Sequence, residues 1–166
     1  GRIGIGLDTT KPQEKQEQST GFSLEDLMGE KERRGSPQSF NQPQTANDLK
    51  GLVSAAIQQK QVPPELARVI PALVKYESSW NPTAKNPDPK SSAKGLFQMT
   101  NAARADVGIP RNATVRQDIE GGIDYLMKMY RKYGDVNKAI QAYNQGHYNP
   151  KSKEGKQYVA AVYRNL

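Results

Sequence analysis

In the stretch ELARVIPALVKYESSW, from Glu65 to Trp80, the residues Leu66, Ile70 and Leu73 recur at i, i+4 and i+7, and Glu77 continues the row four residues further on. That spacing is one face of a 3.6-residue helix. A carboxyl group on such a face finds a partner or has its pKa raised by desolvation, and a raised pKa makes a general acid usable near neutral pH. The competing reading is a helix-terminal glutamate turned out to water. Other groups able to serve chemistry lie downstream: Ser78 beside the glutamate, Gln98 closing Gly95-Leu-Phe-Gln98, and Tyr143 and Asn144 within Ala142-Tyr-Asn-Gln-Gly146. The Tyr143 hydroxyl ends an apolar stripe and can reach a carboxyl such as Glu77, or can belong to a core tyrosine. Ser78 orients the glutamate or caps a helix end. Asp88, Asp106 and Asp124 are the candidates for a second carboxylate, but they fall in a Pro-rich loop, a short helix and a polar helix face. Trp80 reads as a buried anchor rather than an exposed stacking platform, and His147 as a solvent-exposed substituent.

Composition removes several chemistries. The 166 residues contain no cysteine and one histidine, which leaves no thiolate nucleophile, no disulfide framework, no Cys-based zinc site and no histidine cluster. No metal or cofactor is expected. No apolar run approaches the ~20 residues of a membrane span. The first residue is Gly rather than Met, as expected for a fragment or processed product.

The elements that must position these groups are helical. Residues 1–46 are rich in Gly, Pro, Gln, Ser, Thr and Glu, a linker composition that predicts an extended polar tail. Its amphipathic piece, Phe22 to Met28, is a candidate docking patch for protein partners. The tail holds 6 basic and 7 acidic residues, against 18 and 10 in 47–166, so the domain is basic and an anionic partner is admissible. Its cations are scattered, which fits a solubility role for most of them.

From Asn47 the periodicity predicts a helix capped by Asn47 or Asp48, with Leu49, Leu52, Val53, Ala56 and Ile57 inward. Pro64 opens the helix that carries Glu77, and Pro71 within it predicts a kink costing roughly 3 kcal/mol. A turn-rich loop to Met99 has room for two short strands at most. Then come a brief Ala-rich helix from Thr100 or Asn101, a long one from about Thr114 stopped by Gly134, one capped by Asp135, and a last one over about 154–164. The expectation is six helices in a mainly α domain over 47–166, with a short irregular or β-hairpin loop.

Taken together, Glu77-Ser78, Gly95-Leu-Phe-Gln98, Ala142-Tyr-Asn-Gln-Gly146 and Tyr158 on the last helix resemble, in order and spacing, the soluble lytic transglycosylase (SLT) family, whose fold is lysozyme-like of the goose type. The resemblance covers about 48–166. The chain departs from it at Thr100-Asn101, where the family usually has proline, and in the Gln-Gly-His-Tyr that follows Asn144. The Tyr-Asn-Gln-Gly form is also similar to the transglycosylase segment of internal virion proteins of short-tailed phages.

The resemblance implies cleavage of the β-1,4 bond between N-acetylmuramic acid and N-acetylglucosamine in peptidoglycan glycan strands, with a 1,6-anhydro product. Glu77 would be the sole catalytic acid/base, with Ser78, Gln98, Tyr143, Asn144 and Tyr158 as substrate-binding or supporting residues. It implies action in a virion, the periplasm or the cell envelope, and the polar tail over 1–46 adds the expectation of a phage particle or secretion machine joined through it. The other classes are a hydrolytic lysozyme of the same fold and a non-catalytic module binding murein or DNA. Against nucleic acid stands the lack of a dense Arg/Lys stripe with interleaved aromatics.

Overall fold

The computed structural model describes residues 45–166. The tail expected over 1–46, with its Phe22–Met28 patch, lies almost wholly outside the described residues. The first helix, α1 (Ala46–Gln59), is capped by Thr45 and not by Asn47 or Asp48. Asp48, the third residue of the helix, completes a capping box: Thr45 Oγ1 accepts from Asp48 N at 3.0 Å while the Asp48 carboxylate accepts from Thr45 N at 3.3 Å. Leu49, Val53 and Ala56 form its buried face.

The kinked helix expected around Pro71 is instead two helices, α2 (Pro64–Ala67) and α3 (Ile70–Ser78). The proline falls in the first turn of α3, where its missing N–H would have had no intrahelical partner. The strain is thereby avoided. Leu66, Ile70 and Leu73 are fully buried all the same, so the apolar row leading to Glu77 survives the break. Ser79 (φ 52°) and Trp80 (φ 65°) then turn left-handed and end α3. The Trp80 side chain is buried, with the Lys50 ammonium 5.7 Å from its ring centroid.

Residues 81–100 form an irregular return with isolated antiparallel bridges, Lys85 to Lys94 and Lys94 to Met99, and no strand among the described residues. Hairpin-like rungs persist from Gly95 N to Ala84 O (2.8 Å) and from Asn86 N to Ala93 O (3.1 Å). A ladder cannot extend because Pro82, Pro87 and Pro89 lack donors, while left-handed Gly95 and Gln98 curl the returning arm.

The remaining helices are α4 (Asn101–Asp106), α5 (Val115–Tyr133), α6 (Val136–Gln145) and α7 (Lys153–Tyr163), making seven among the described residues where six were expected. Thr100, Thr114, Asp135 and Ser152 cap them through side-chain oxygens, and Gly134 (φ 69°) stops α5. The central helix α5 packs on α6, α1 and α4; α7 packs on α6 and α3. On α5, Gly121 and Gly122 let the segments flanking α4 approach closely: a Cβ on Gly122 would lie 2.3 Å from Phe97 Cγ and one on Gly121 2.8 Å from Ile109 Cδ1. The result is a mainly helical domain whose core runs from Leu49 to Val162.

Candidate active site

Glu77 stands on the last turn of α3, half-buried at one wall of a cleft of about 910 Å³. Gln98, Tyr125, Tyr143 and Asn144 line the same cleft. Burial pushes the Glu77 carboxyl up to about 7, and a hydrogen bond from Tyr158 opposes that rise. The Tyr158 hydroxyl donates to Glu77 Oε2 at 2.5 Å across 81 residues of sequence. The other oxygen, Oε1, has no hydrogen-bond partner among the described residues.

The bond to Glu77 for which Tyr143 was one candidate is thus made by Tyr158. Tyr143 does not bond Glu77; its hydroxyl donates to Phe97 O at 2.5 Å and pins the 95–98 turn to α6. Both phenols are held well above their ordinary pKa, by burial first and then by the Glu77 charge. They remain neutral donors through the working pH range.

Gln98 adopts φ 48°. Its Nε2 donates to Ala84 O and to Gly95 O, each at 2.9 Å, which uses both amide hydrogens. The atom it can offer the cleft is therefore Oε1, an acceptor. Asn144 is exposed and lines both this cleft and a second groove of about 630 Å³ that also holds Tyr76 and Tyr158. Ser78 is buried and donates to Val74 O at 3.1 Å. It neither bonds the glutamate nor caps the helix, since Ser79 holds the C-cap position.

Of the three aspartates considered as a second carboxylate, Asp106 lines the cleft, engaged by Lys128 Nζ at 2.7 Å. Asp124 is paired with Lys60 at 2.9 Å, and Asp88 accepts from Lys90 N in the exposed loop. His147 is exposed. No cluster of potential metal ligands occurs among the described residues, and no described helix is long and apolar enough to cross a membrane.

Sequence reasoning passed over Tyr125, Arg104 and Asp118. Tyr125 packs edge-on against Tyr143, ring centroids 5.5 Å apart, on the cleft wall. Arg104 and Asp118 form a buried ion pair beneath the Gln98 loop. A signal was present: Asp118, Gly122, Tyr125 and Met129 are a second row on α5 at i, i+4, i+7 and i+11, and all four are buried. Burial pushes the Asp118 carboxyl up from its ordinary value, against the Arg104 hydrogen bond and charge.

Comparison with known proteins agrees with this architecture. The family model for the transglycosylase SLT domain matches residues 51–164, and the chain belongs to that family. Among relatives, the membrane-bound lytic murein transglycosylase F of Vibrio cholerae is 35% identical over 68 residues, 41% of this chain and 12% of that protein. The protein of the same name from Pseudoalteromonas translucida is 33% identical over 86 residues, 48% of this chain and 18% of its own length. The transglycosylase of enterobacteria phage PRD1 is 32% identical over 103 residues, 60% of this chain and 37% of that protein. The chain thus spans well under half the length of each of these relatives.

Proposed function

We propose that the chain is a peptidoglycan lytic transglycosylase in which Glu77 alone serves as acid and then base. The observation that carries this is the Glu77 carboxyl itself, raised to about 7 by burial, bonded by Tyr158 through one oxygen and standing on the wall of the cleft. Near neutral pH both protonation states are populated, the condition for one group to work in both directions.

Protonated Glu77 gives its proton to the glycosidic oxygen between N-acetylmuramic acid and N-acetylglucosamine, and the C1–O bond breaks. The muramic 2-acetamido carbonyl supports the cationic C1. The C6 hydroxyl then attacks C1 and returns its proton to Glu77, closing a 1,6-anhydro ring without consuming water. Substrate assistance makes a second protein carboxylate unnecessary. Gln98 Oε1 suits an N-acetyl N–H, and the exposed Asn144 amide offers both donor and acceptor to the sugar. The Tyr158 hydroxyl holds the carboxyl in one orientation.

Mass spectrometry of the muropeptides released from purified peptidoglycan tests this. The chain is expected to give anhydro products and Glu77→Gln none. Reducing ends would move the reading to a lysozyme and make Asp106, the other acidic side chain on the cleft, the residue to examine as base. We further propose that the enzyme acts within an envelope-penetrating assembly, a phage particle or secretion system, joined to it through residues 1–46. The likeness to the PRD1 transglycosylase and the linker composition of that segment support this reading.

A further inference from the structure

Arg104 and Asp118 are the charged residues buried among those described, Arg104 at 1% exposure. Burying an ion pair is costly, and replacing one by apolar side chains of similar volume is often neutral or stabilising. Fold stability alone therefore accounts poorly for this pair. Its hydrogen bonds point elsewhere. Arg104 Nη2 donates to Lys94 O at 2.9 Å and Nε donates to Met99 O at 3.3 Å, while Nη1 donates to Asp118 Oδ1 on α5. One guanidinium thus grips both ends of the segment 94–99 and ties it to the central helix.

Within that segment Gly95 (φ 85°) and Gln98 (φ 48°) are both left-handed. At Gly95 any side chain would meet Asp118, its Cβ lying 2.3 Å from Oδ2. Outside the grip, Tyr143 holds Phe97 O and the Gln98 amide holds Ala84 O. A non-glycine residue kept in a sparsely populated conformation needs surroundings that over-determine it.

We propose that Arg104, oriented by Asp118, is a positioning residue for glycan binding: it fixes the 94–99 segment so that Gln98 presents its amide oxygen, and no donor, to the cleft. This rests on the reading of the cleft as a glycan site. The fork geometry of the guanidinium is what matters, because a lysine at 104 would keep the charge and the pairing with Asp118 but could not reach three divergent acceptors in one plane. An asparagine at 118 would keep the Oδ1 acceptor that orients Arg104 and discard the charge.

Calorimetric titration with peptide-free glycan strands, prepared by amidase treatment of purified peptidoglycan, separates these features. The parent is Glu77→Gln, compared with the same chain carrying R104K or D118N. R104K is expected to weaken binding about tenfold, the loss of roughly one well-placed hydrogen bond, and D118N to stay within about twofold. In the Glu77 enzyme the R104K KM should rise in proportion, with an unchanged pH profile, since the surroundings of Glu77 are untouched.

Parental affinity in R104K overturns the proposal, as does a D118N loss as large as that of R104K. Thermal midpoints check that both variants are folded; should R104K not fold, the D118N affinity decides, a value within about twofold of the parent supporting the clamp geometry and a larger loss overturning it. Absence of product from the Glu77 chain would sink the catalytic reading while leaving the titration decisive for the clamp. Absence of strand binding by the parent would sink the clamp.

Discussion

The same burial that tunes Glu77 should cost the fold stability, and the cost should depend on pH. In the unfolded chain the carboxyl titrates near its ordinary 4.5, in the folded protein at about 7. Between those values the folded state binds more protons than the unfolded one, so stability falls as pH rises from 4.5 through about 7 and is lowest above it. At about 1.4 kcal/mol per pH unit the full difference is roughly 3 kcal/mol. Glu77 is half-buried and retains solvent access through the cleft, so about 2 kcal/mol is the reasonable expectation. Glu77→Gln removes the titration while keeping the volume and an acceptor for Tyr158. At pH 5 the folded glutamate is still largely protonated, so about a quarter of the cost is present and the two proteins should melt within a few degrees of each other. At pH 8 the variant should melt higher by roughly 6 to 10 °C, taking about 3–5 °C per kcal/mol for a domain of this size. Thermal unfolding at both pH values is the assay. A midpoint difference that is the same at pH 5 and pH 8 would refute the claim that folding desolvates this carboxyl.

Other expectations follow from neighbouring contacts. Tyr158→Phe deletes the donor that stabilises the Glu77 carboxylate, so the pKa should climb further above 7; the limb of kcat/KM that falls with rising pH should move up by about one pH unit, and an unmoved limb would contradict the hydrogen bond. Gly122→Ala places a methyl 2.3 Å from Phe97 Cγ, an overpacking expected to cost about 1–3 kcal/mol and to lower glycan affinity by displacing Gln98; denaturant titration and strand binding read both. Deletion of 1–44 should leave clearing of purified peptidoglycan intact and abolish incorporation into the parent assembly. Loss of clearing on that deletion would place part of the catalytic machinery in the tail.

Much of the helical framework was legible because it depends on short-range chemistry. Gly134 as the stop of α5, Asp135 as the cap of α6 and the buried row Leu66, Ile70, Leu73 all follow from periodicity and capping. The misreadings arose where two local solutions compete. At the start of α1 any of several polar residues can cap, and the reciprocal bonds of Thr45 and Asp48 decide it. At Pro71 a kinked helix and a helix restart satisfy the same apolar pattern, and restarting avoids the lost hydrogen bond. In 81–100 the prolines and left-handed residues leave bridges where a hairpin was admissible.

The site was less legible for a different reason. Periodicity reports which side chains turn inward, but not which of them meet. Glu77 and Tyr158 are 81 residues apart, Phe97 and Tyr143 46, Arg104 and Asp118 14. On sequence grounds Tyr143 could equally reach a carboxyl or belong to the core. Only packing decides that α7 lies against α3 and so brings Tyr158 to the glutamate. Arg104 and Asp118 each looked like one more surface charge in a basic domain. The left-handed residues add to this: of the four non-glycine positions with positive φ among the described residues, Gln98 lines the cleft. Such conformations run against local preference and persist because distant side chains hold them. The residues that a local reading places least well are therefore those that the long-range contacts exist to place.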